Sequence, residues 1–124
     1  MNWTLLTIVA AVLIGLYLLK RTSFVPAETA RALLRQGALV VDVRSPDEFE
    51  SAHLPSAVNL PLGGLKDEAS RRFPDKSRVL LLHCLSGARS GIAKQQLKAM
   101  GYTQAFNLGS YGRAGKLVRE AEKQ

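Results

Sequence analysis

The sequence predicts a three-layer α/β sandwich around a mostly parallel sheet, preceded by one transmembrane helix. Short apolar segments of strand type alternate with helical segments from residue 22 onward, which is the pattern of a parallel sheet covered by helices. A run of 17 residues without charge, residues 3–19, stands before them. About a hundred residues remain after this leader, which is enough for one domain and not for two.

The composition is that of a folded chain with an excess of basic residues. Hydrophobic residues make up 47% and charged residues 22% of the 124 residues, so long disorder is not expected. The formal net charge is +7, but Lys and Arg are scattered and are not interleaved with aromatic residues. This charge indicates a solvated basic surface or an attraction to anionic lipids and small anions, and nucleic acid is not expected as a partner.

The leader predicts a single-pass membrane anchor. Its 17 uncharged residues would form a helix of about 25 Å, at the short end of what spans a bilayer. Trp3 and Tyr17 stand near its two ends, where aromatic side chains meet the membrane interface, and Lys20 and Arg21 follow at once and can reach the head groups. We therefore divide the chain into an anchor at 1–21 and a domain that occupies the remainder, 22–124.

Two other interpretations of the leader are disfavoured. A cleaved signal peptide has basic residues before the apolar run and a small-x-small site after it, whereas here Lys20 and Arg21 come after the run. A buried core helix would have a polar face, and this segment is apolar around its whole circumference. By the positive-inside rule the domain is expected in the cytoplasm, with the anchor in the inner membrane of a bacterium.

Local signals define each element of the domain. Pro26 opens a helix that runs to about Arg35, with Gly37 as its stop signal, and residues 38–43 have the apolar pattern of a strand buried on both faces. Ser45 and Glu48 form a capping box at the start of the second helix. The remaining elements are predicted as a strand at 57–60, a helix at 65–72, a strand at 78–83, a helix at 90–100, a strand at 104–107 and a helix at 113–122.

Cys84 is the single cysteine of the chain. It can form no internal disulfide, and with His53 and His83 as the only histidines there is no set of zinc ligands with paired spacing. We expect neither a metal nor an organic cofactor. A lone thiol is either a small buried hydrophobe or a nucleophile, and the neighbouring residues decide between them.

Cys84 begins a loop that joins a buried strand to a helix. Ligands of parallel sheets bind beyond the carboxyl ends of the strands, where such loops enter helix N-termini. Gly87 lets successive N–H groups point inward around the sulfur, and the helix adds its positive end. Arg89 contributes a fixed positive charge, and Ser86 and Ser90 contribute hydroxyl donors. Because these groups stabilise a thiolate, the pattern predicts a nucleophilic cysteine.

Three separated motifs resemble the rhodanese-like domain in order and spacing. They are VVDVRSPDEFESAHLPSAVNLP at 40–61, LLLHCLSGARS at 80–90 and GYTQAFNLG at 101–109. The resemblance extends over nearly all of residues 24–118. It implies a five-stranded parallel sheet flanked by helices, and a cysteine that takes a sulfane sulfur from a donor, carries it as a persulfide and passes it to a thiophilic acceptor.

The resemblance also implies roles for individual residues. Cys84 matches the persulfide carrier, and Asp42 and Arg44 match the family's Asp-x-Arg after the first central strand. Arg44 either pairs with a carboxylate such as Asp47 or steers the donor. His53 stands in Ala-His-Leu-Pro where the family has Gly-His-Ile-Pro, and we interpret it as structural because this turn lies away from the loop. Besides the catalytic cysteine, the expected substrate-binding residues are Leu85, Ser86, Gly87, Ala88, Arg89, Ser90 and Arg44.

The length and composition of the loop indicate its cargo. Related dual-specificity phosphatases carry His-Cys-x5-Arg, whereas Cys84 and Arg89 enclose only four residues, and the smaller cradle suits one sulfur atom. His83 is phosphatase-like, but the spacing is not. Family loops often carry Arg directly after the cysteine and again four positions on, where this chain has Leu85 and Ala88. Thiosulfate should therefore bind less well than to an Arg-rich loop, and a protein or low-molecular-weight persulfide is an alternative donor.

The expected function is that of a membrane-anchored sulfurtransferase whose partners are a sulfane-sulfur donor and a thiol acceptor. The alternative is a catalytically weak rhodanese-fold binding or scaffold module for a membrane protein partner, which the anchor and the pared-down loop indicate. A phosphatase or arsenate reductase on the same fold is disfavoured by the loop spacing.

Overall fold

The computed structural model describes residues 2–123, without the side chains of residues 20–22. After a first helix, strands alternate with helices in the order that the sequence predicts. The helices are α1 (Trp3–Thr22), α2 (Ala27–Arg35), α3 (Pro46–Ser51), α4 (Leu65–Arg72), α5 (Ala88–Ala99) and α6 (Tyr111–Glu122). The strands are β1 (Leu39–Asp42), β2 (Val58–Asn59), β3 (Leu80–His83) and β4 (Ala105–Gly109), and a 3-10 helix at Leu62–Gly64 leads into α4.

The strands form one parallel sheet in the order β2-β1-β3-β4. β1 and β3 lie at its centre and pair in register, with Val41 opposite Leu82. Parallel strands need crossover connections, and the helices between successive strands provide them. The α/β class and the parallel sheet predicted from the sequence are thus confirmed.

The fifth strand implied by the resemblance is wrong, because the sheet in the described residues has four strands. The chain before α2 approaches β4 where the N–H of Val25 donates to the carbonyl of Asn107 at 2.8 Å. The next ladder bond would join the N–H of Gly109 to the carbonyl of Val25, but Gly109 donates to Oδ1 of Asn107 and the Val25 carbonyl accepts from Nη2 of Arg113. Pro26 then turns the chain into α2.

Helices cover both faces of the sheet. Successive strand residues point to opposite faces, so Val41 and Leu82 pack beneath α4 and α5, while Val40 and Leu81 pack beneath α2 and α6. Burial on both faces explains why the central strands are continuous apolar runs instead of alternating ones. The three layers leave the carboxyl ends of the strands as the open edge from which the loops emerge.

The helix starts show which local signals were decisive. The capping box predicted for α3 is present, with the N–H of Glu48 donating to Oγ of Ser45 at 3.3 Å. α5 begins at Ala88, two residues before the predicted start at 90, because Gly87 with a φ of 95° turns the chain into the helix at once. α6 begins at Tyr111 because Ser110 caps it.

The membrane localisation predicted from the leader is wrong. Residues 3–19 do lie in α1, but within residues 2–123 no helix combines the length and the apolar content that a membrane crossing requires. The inner-membrane localisation and the cytoplasmic orientation depended on that crossing and are corrected with it. The predicted contacts of Lys20 and Arg21 with head groups concern side chains outside the described residues.

Candidate active site

The loop 84–90 lies at the carboxyl end of β3, beside the end of β4. The N–H of Cys84 donates to the carbonyl of Gly109 at 3.2 Å, which ties the loop to β4. The side chain of Cys84 is buried, and its Sγ accepts a hydrogen bond from the N–H of Gly87 at 3.0 Å. The hydroxyl of Ser90 donates to the same sulfur at 3.5 Å. The loop therefore places hydrogen-bond donors around the sulfur.

These donors lower the pKa of the Cys84 thiol. Burial acts in the opposite direction, because it removes hydration from the charged form. The hydroxyl of Ser90, together with the N–H groups of Ser90, Gly87 and Ser86, hydrogen-bonds the thiolate and outweighs burial. A lower pKa enlarges the thiolate fraction near neutral pH, and the thiolate is the form that attacks.

Gly87 gives the loop its shape. Its φ of 95° is in the left-handed region, which side chains with a Cβ rarely adopt. The ring of Phe24 lies directly against it: a Cβ built on Gly87 would come within 2.6 Å of Phe24 Cζ. The segment that leads into α2 thus packs behind the loop, and only glycine fits between them.

Asn107 in β4 holds the loop from the other side, and it is a residue that the sequence patterns did not single out. Its Nδ2 donates to the carbonyl of Gly87 at 3.0 Å, and its Oδ1 accepts from the N–H of Gly109 at 3.0 Å. The hydroxyl of Ser90 lies 2.7 Å from the same Oδ1, and its one hydrogen can be donated either to this oxygen or to the sulfur of Cys84. Asn107 is buried, and a buried amide inside an otherwise apolar strand is the signal that could have revealed it.

Arg89 points to a carboxylate on another element. Its Nη1 and Nη2 donate to Oε1 and Oε2 of Glu48 at 2.6 and 3.0 Å. This hydrogen-bonded pair raises the pKa of Arg89, as does its interaction with Cys84. Glu48 was predicted only as a helix cap. Its contact with Arg89 joins residues 41 positions apart, a distance over which no local pattern could predict it.

Arg44 is buried behind the loop and pairs with Asp42, not with Asp47. Its Nε and Nη2 donate to the Asp42 carboxylate at 2.7 to 3.0 Å. Its guanidinium stands over the ring of Tyr111 at 4.6 Å. The N–H of Tyr111 donates in turn to the carbonyl of Leu85 at 3.2 Å. Arg44 thus buttresses the loop through an aromatic ring, and its own charge is balanced.

The other residues of the loop face solvent. Leu85, Ser86 and Ala88 are exposed, and Ser86 forms an antiparallel bridge with Ser110. Within residues 2–123, no cluster of His, Cys, Asp or Glu side chains could hold a metal ion.

The two histidines have local roles. His53 is exposed, stacks on the Phe49 ring at 3.9 Å, and its Nδ1 donates to the Phe49 carbonyl at 2.8 Å. These contacts stabilise the turn after α3. His83 is fully buried next to Cys84, and burial lowers the pKa of its imidazole. A pKa below the ordinary value of 6.5 leaves this ring uncharged at neutral pH.

The sheet with its cysteine loop defines the class of the protein. The rhodanese-like domain family matches residues 26–111, and the chain belongs to this family. It is 38% identical over 69 residues to the thiosulfate sulfurtransferase PspE of Escherichia coli K12, covering 56% of this chain and 66% of that protein. It is 36% identical over 84 residues to the thiosulfate sulfurtransferase GlpE of Pseudomonas syringae pv. syringae, covering 68% of this chain and 77% of that protein.

A solved structure extends the similarity to the fold. The human single-domain sulfurtransferase TSTD1 is 29% identical, covers 76% of this chain and 96% of its own, and superposes with a TM-score of 0.65. The chain spans about two thirds of the length of PspE, 66%. The family and the rhodanese-type class of enzyme predicted from the sequence are confirmed, whereas these similarities give no support to a membrane anchor.

Proposed function

We propose that the protein is a sulfurtransferase that carries sulfane sulfur as a persulfide on Cys84 and passes it to a thiol or another thiophilic acceptor. The observation that carries this proposal is the buried Sγ of Cys84 at the end of β3, with the N–H of Gly87 aimed at it from 3.0 Å. A donor in that position favours the attacking thiolate, and it can equally stabilise the persulfide anion that transfer produces. Relatives named as thiosulfate sulfurtransferases support the same chemistry.

The reaction proceeds in two displacements at sulfur. The Cys84 thiolate attacks the sulfane sulfur of the donor, an S–S bond forms, and the electron pair of the broken bond leaves with the remainder of the donor, which is sulfite when the donor is thiosulfate. An acceptor thiolate then attacks the outer sulfur of the persulfide, and Cys84 departs as a thiolate. Neither step calls for a metal or an organic cofactor, because the protein itself supplies the nucleophile. Ping-pong kinetics should follow.

The size of the loop supports sulfur as the cargo. Four residues separate Cys84 from Arg89, and the guanidinium of Arg89 is turned to Glu48. A phosphate group would need a wider ring of N–H groups and a guanidinium free to hold its oxygens. A single sulfur atom needs neither.

Intact-mass spectrometry tests the proposal. The protein is incubated with thiosulfate or with an alkyl persulfide, desalted and weighed, and we expect one added sulfur atom that a thiol or cyanide then removes. Cys84→Ser should gain none. The matched control adds Ser70→Cys to Cys84→Ser, which restores a thiol at an exposed position of α4 without the loop. No adduct with any donor, or an adduct that forms as fast in the control as in the wild type, would reject the proposal.

A further inference from the structure

The guanidinium of Arg89 interacts with Cys84, and Glu48 neutralises its charge. Arg89 is the only basic residue of the loop 84–90. Its bidentate pair with Glu48, at 2.6 and 3.0 Å, is the strongest geometry that a guanidinium and a carboxylate can form. The positive charge that faces Cys84 is therefore balanced by a negative charge on its other side.

Glu48 is held in this position by the start of α3. Besides Arg89, its Oε1 accepts hydrogen bonds from the N–H of Ser45 at 3.2 Å and from the hydroxyl of Ser45 at 3.1 Å. Arg89 first, and then Ser45, lower the pKa of Glu48 to about 2. The carboxylate is thus ionised throughout the neutral range and has little freedom to turn away from the guanidinium.

No neighbouring side chain of the loop replaces the lost charge. The guanidinium of Arg44 is buried and pairs with Asp42 at 2.7 Å. Leu85, Ser86 and Ala88, the exposed residues of the loop, are uncharged. A donor with two negative charges therefore approaches Cys84 without an uncompensated cation in the loop to receive it.

We propose that Glu48 is a specificity-determining residue, which cancels the charge of Arg89 and so makes the site favour sulfane donors of low negative charge over the thiosulfate dianion. The favoured class comprises monoanionic and uncharged organic donors, such as thiosulfonates and hydropersulfides. This inference rests on the proposed function, since it concerns the first displacement at Cys84.

Two donors isolate the effect of charge. Thiosulfate and the methanethiosulfonate anion both present a terminal sulfane sulfur on a tetrahedral sulfur, but a methyl group in the second replaces one charged oxygen of the first. With either donor the Cys84 thiolate forms the new S–S bond while the donor's S–S bond breaks. The electron pair leaves on sulfite or on methanesulfinate, and the same persulfide anion remains. The two reactions thus differ in donor charge by one unit.

The experiment compares kcat/KM for these two donors in the wild type and in Glu48→Gln, with cyanide as the acceptor. Glutamine keeps an oxygen that can accept from Ser45 and fits the same capping box, but it has no charge. The matched control is Asp47→Asn, which removes one negative charge from the same helix turn at an exposed residue. We expect Glu48→Gln to shift the ratio of the two kcat/KM values toward thiosulfate by about three- to tenfold, as one partly screened charge would.

The pH dependence of alkylation provides a second readout. With Glu48→Gln, the uncompensated guanidinium of Arg89 should favour the thiolate, so reaction of Cys84 with the neutral reagent iodoacetamide should titrate at a lower pH. A merely structural role of Glu48 would not produce that shift. It would instead slow both donors alike.

Each outcome has one meaning. The inference is supported if Glu48→Gln shifts the ratio of the two kcat/KM values toward thiosulfate and lowers the pH at which alkylation of Cys84 titrates, while Asp47→Asn does neither. An unchanged ratio, an equal loss with both donors, or the same shift in Asp47→Asn overturns it while persulfide formation on Cys84 still stands. If the wild type forms no persulfide with either donor, the proposed function fails and the inference fails with it.

Discussion

Gly87 is the position at which a single added methyl group should most disturb the site. Gly87→Ala places a Cβ on a residue whose φ is 95°. The left-handed conformation costs a residue with a Cβ about 1–2 kcal/mol. That Cβ would also lie 2.6 Å from Cζ and 2.7 Å from Cε1 of Phe24, and overpacking of this kind costs about 1–3 kcal/mol.

The half-buried ring of Phe24 must shift to admit this Cβ. It also packs against Gly109, where a Cβ would lie 3.2 Å from the ring, and the guanidinium of Arg113 stands 5.5 Å from its centre. The two costs therefore add, and Gly87→Ala should lower the free energy of unfolding by about 2–5 kcal/mol. It should also raise the pKa of the Cys84 thiol, because the N–H of Gly87 would no longer point at the sulfur.

Chemical denaturation separates the two contributions. Gly37 has the same φ of 95° and no atom within 4 Å of its Cβ position, so Gly37→Ala should show the backbone cost alone. In a Phe24→Ala background, the loss in free energy of unfolding caused by Gly87→Ala should fall to that of Gly37→Ala, because the overlap with the ring is gone. Equal costs of Gly87→Ala and Gly37→Ala in the wild-type background would refute the argument that Phe24 closes the space behind the loop.

Three further predictions follow from hydrogen bonds around the sulfur. Ser90→Ala removes a hydrogen-bond donor and should raise the pKa of Cys84, which the pH dependence of alkylation measures. An unchanged profile would contradict the role of the hydroxyl. Asn107→Ala leaves buried backbone groups without a partner and should lower the free energy of unfolding by about 2–4 kcal/mol. Chemical denaturation measures this loss. A loss below about 1 kcal/mol would show that other groups or water replace the amide. Because Arg89 holds the pKa of Glu48 at about 2, below an ordinary value of 4.5, the stabilisation by Glu48 is present above pH 4.5 and is lost as the pH falls toward 2. Glu48→Gln should flatten the stability profile between those values, and identical profiles would argue against the pair.

The order of the elements is predictable because it depends on short-range signals. Pro26 and Gly37 delimit α2 to within a residue or two, and the capping box from Ser45 to Glu48 starts α3 as expected. Apolar runs locate the four strands, and their ends differ from the predicted ones by at most two residues. The fifth strand came from the resemblance alone, and the sheet of the described residues has four strands.

The leader shows where a composition argument fails. Its apolar run does form a helix, as predicted. Membrane crossing, however, requires a minimum length as well as an apolar composition, and none of the helices within residues 2–123 meets both requirements.

The loop 84–90 itself can be predicted from the sequence, because its residues are neighbours along the chain. Cys84, Gly87 and Ser90 stand within seven consecutive residues, so a strand, a glycine turn and a helix start suffice to predict that they surround one sulfur. The partners that hold this loop are not neighbours. Asn107 comes from β4 and Glu48 from α3, and no periodicity or cap points from either to the cysteine.

The hydrogen-bond donors around Cys84 are therefore set by the local sequence. The net charge that a sulfur donor meets at the site is set by the folded chain. Residues 84–90 carry an arginine, and taken alone they indicate a basic site. The fold brings the start of α3 to the start of α5, where Glu48 pairs with that arginine and neutralises it. Electrostatic energies depend on distances in space, and only tertiary structure sets the distance between residues 41 positions apart.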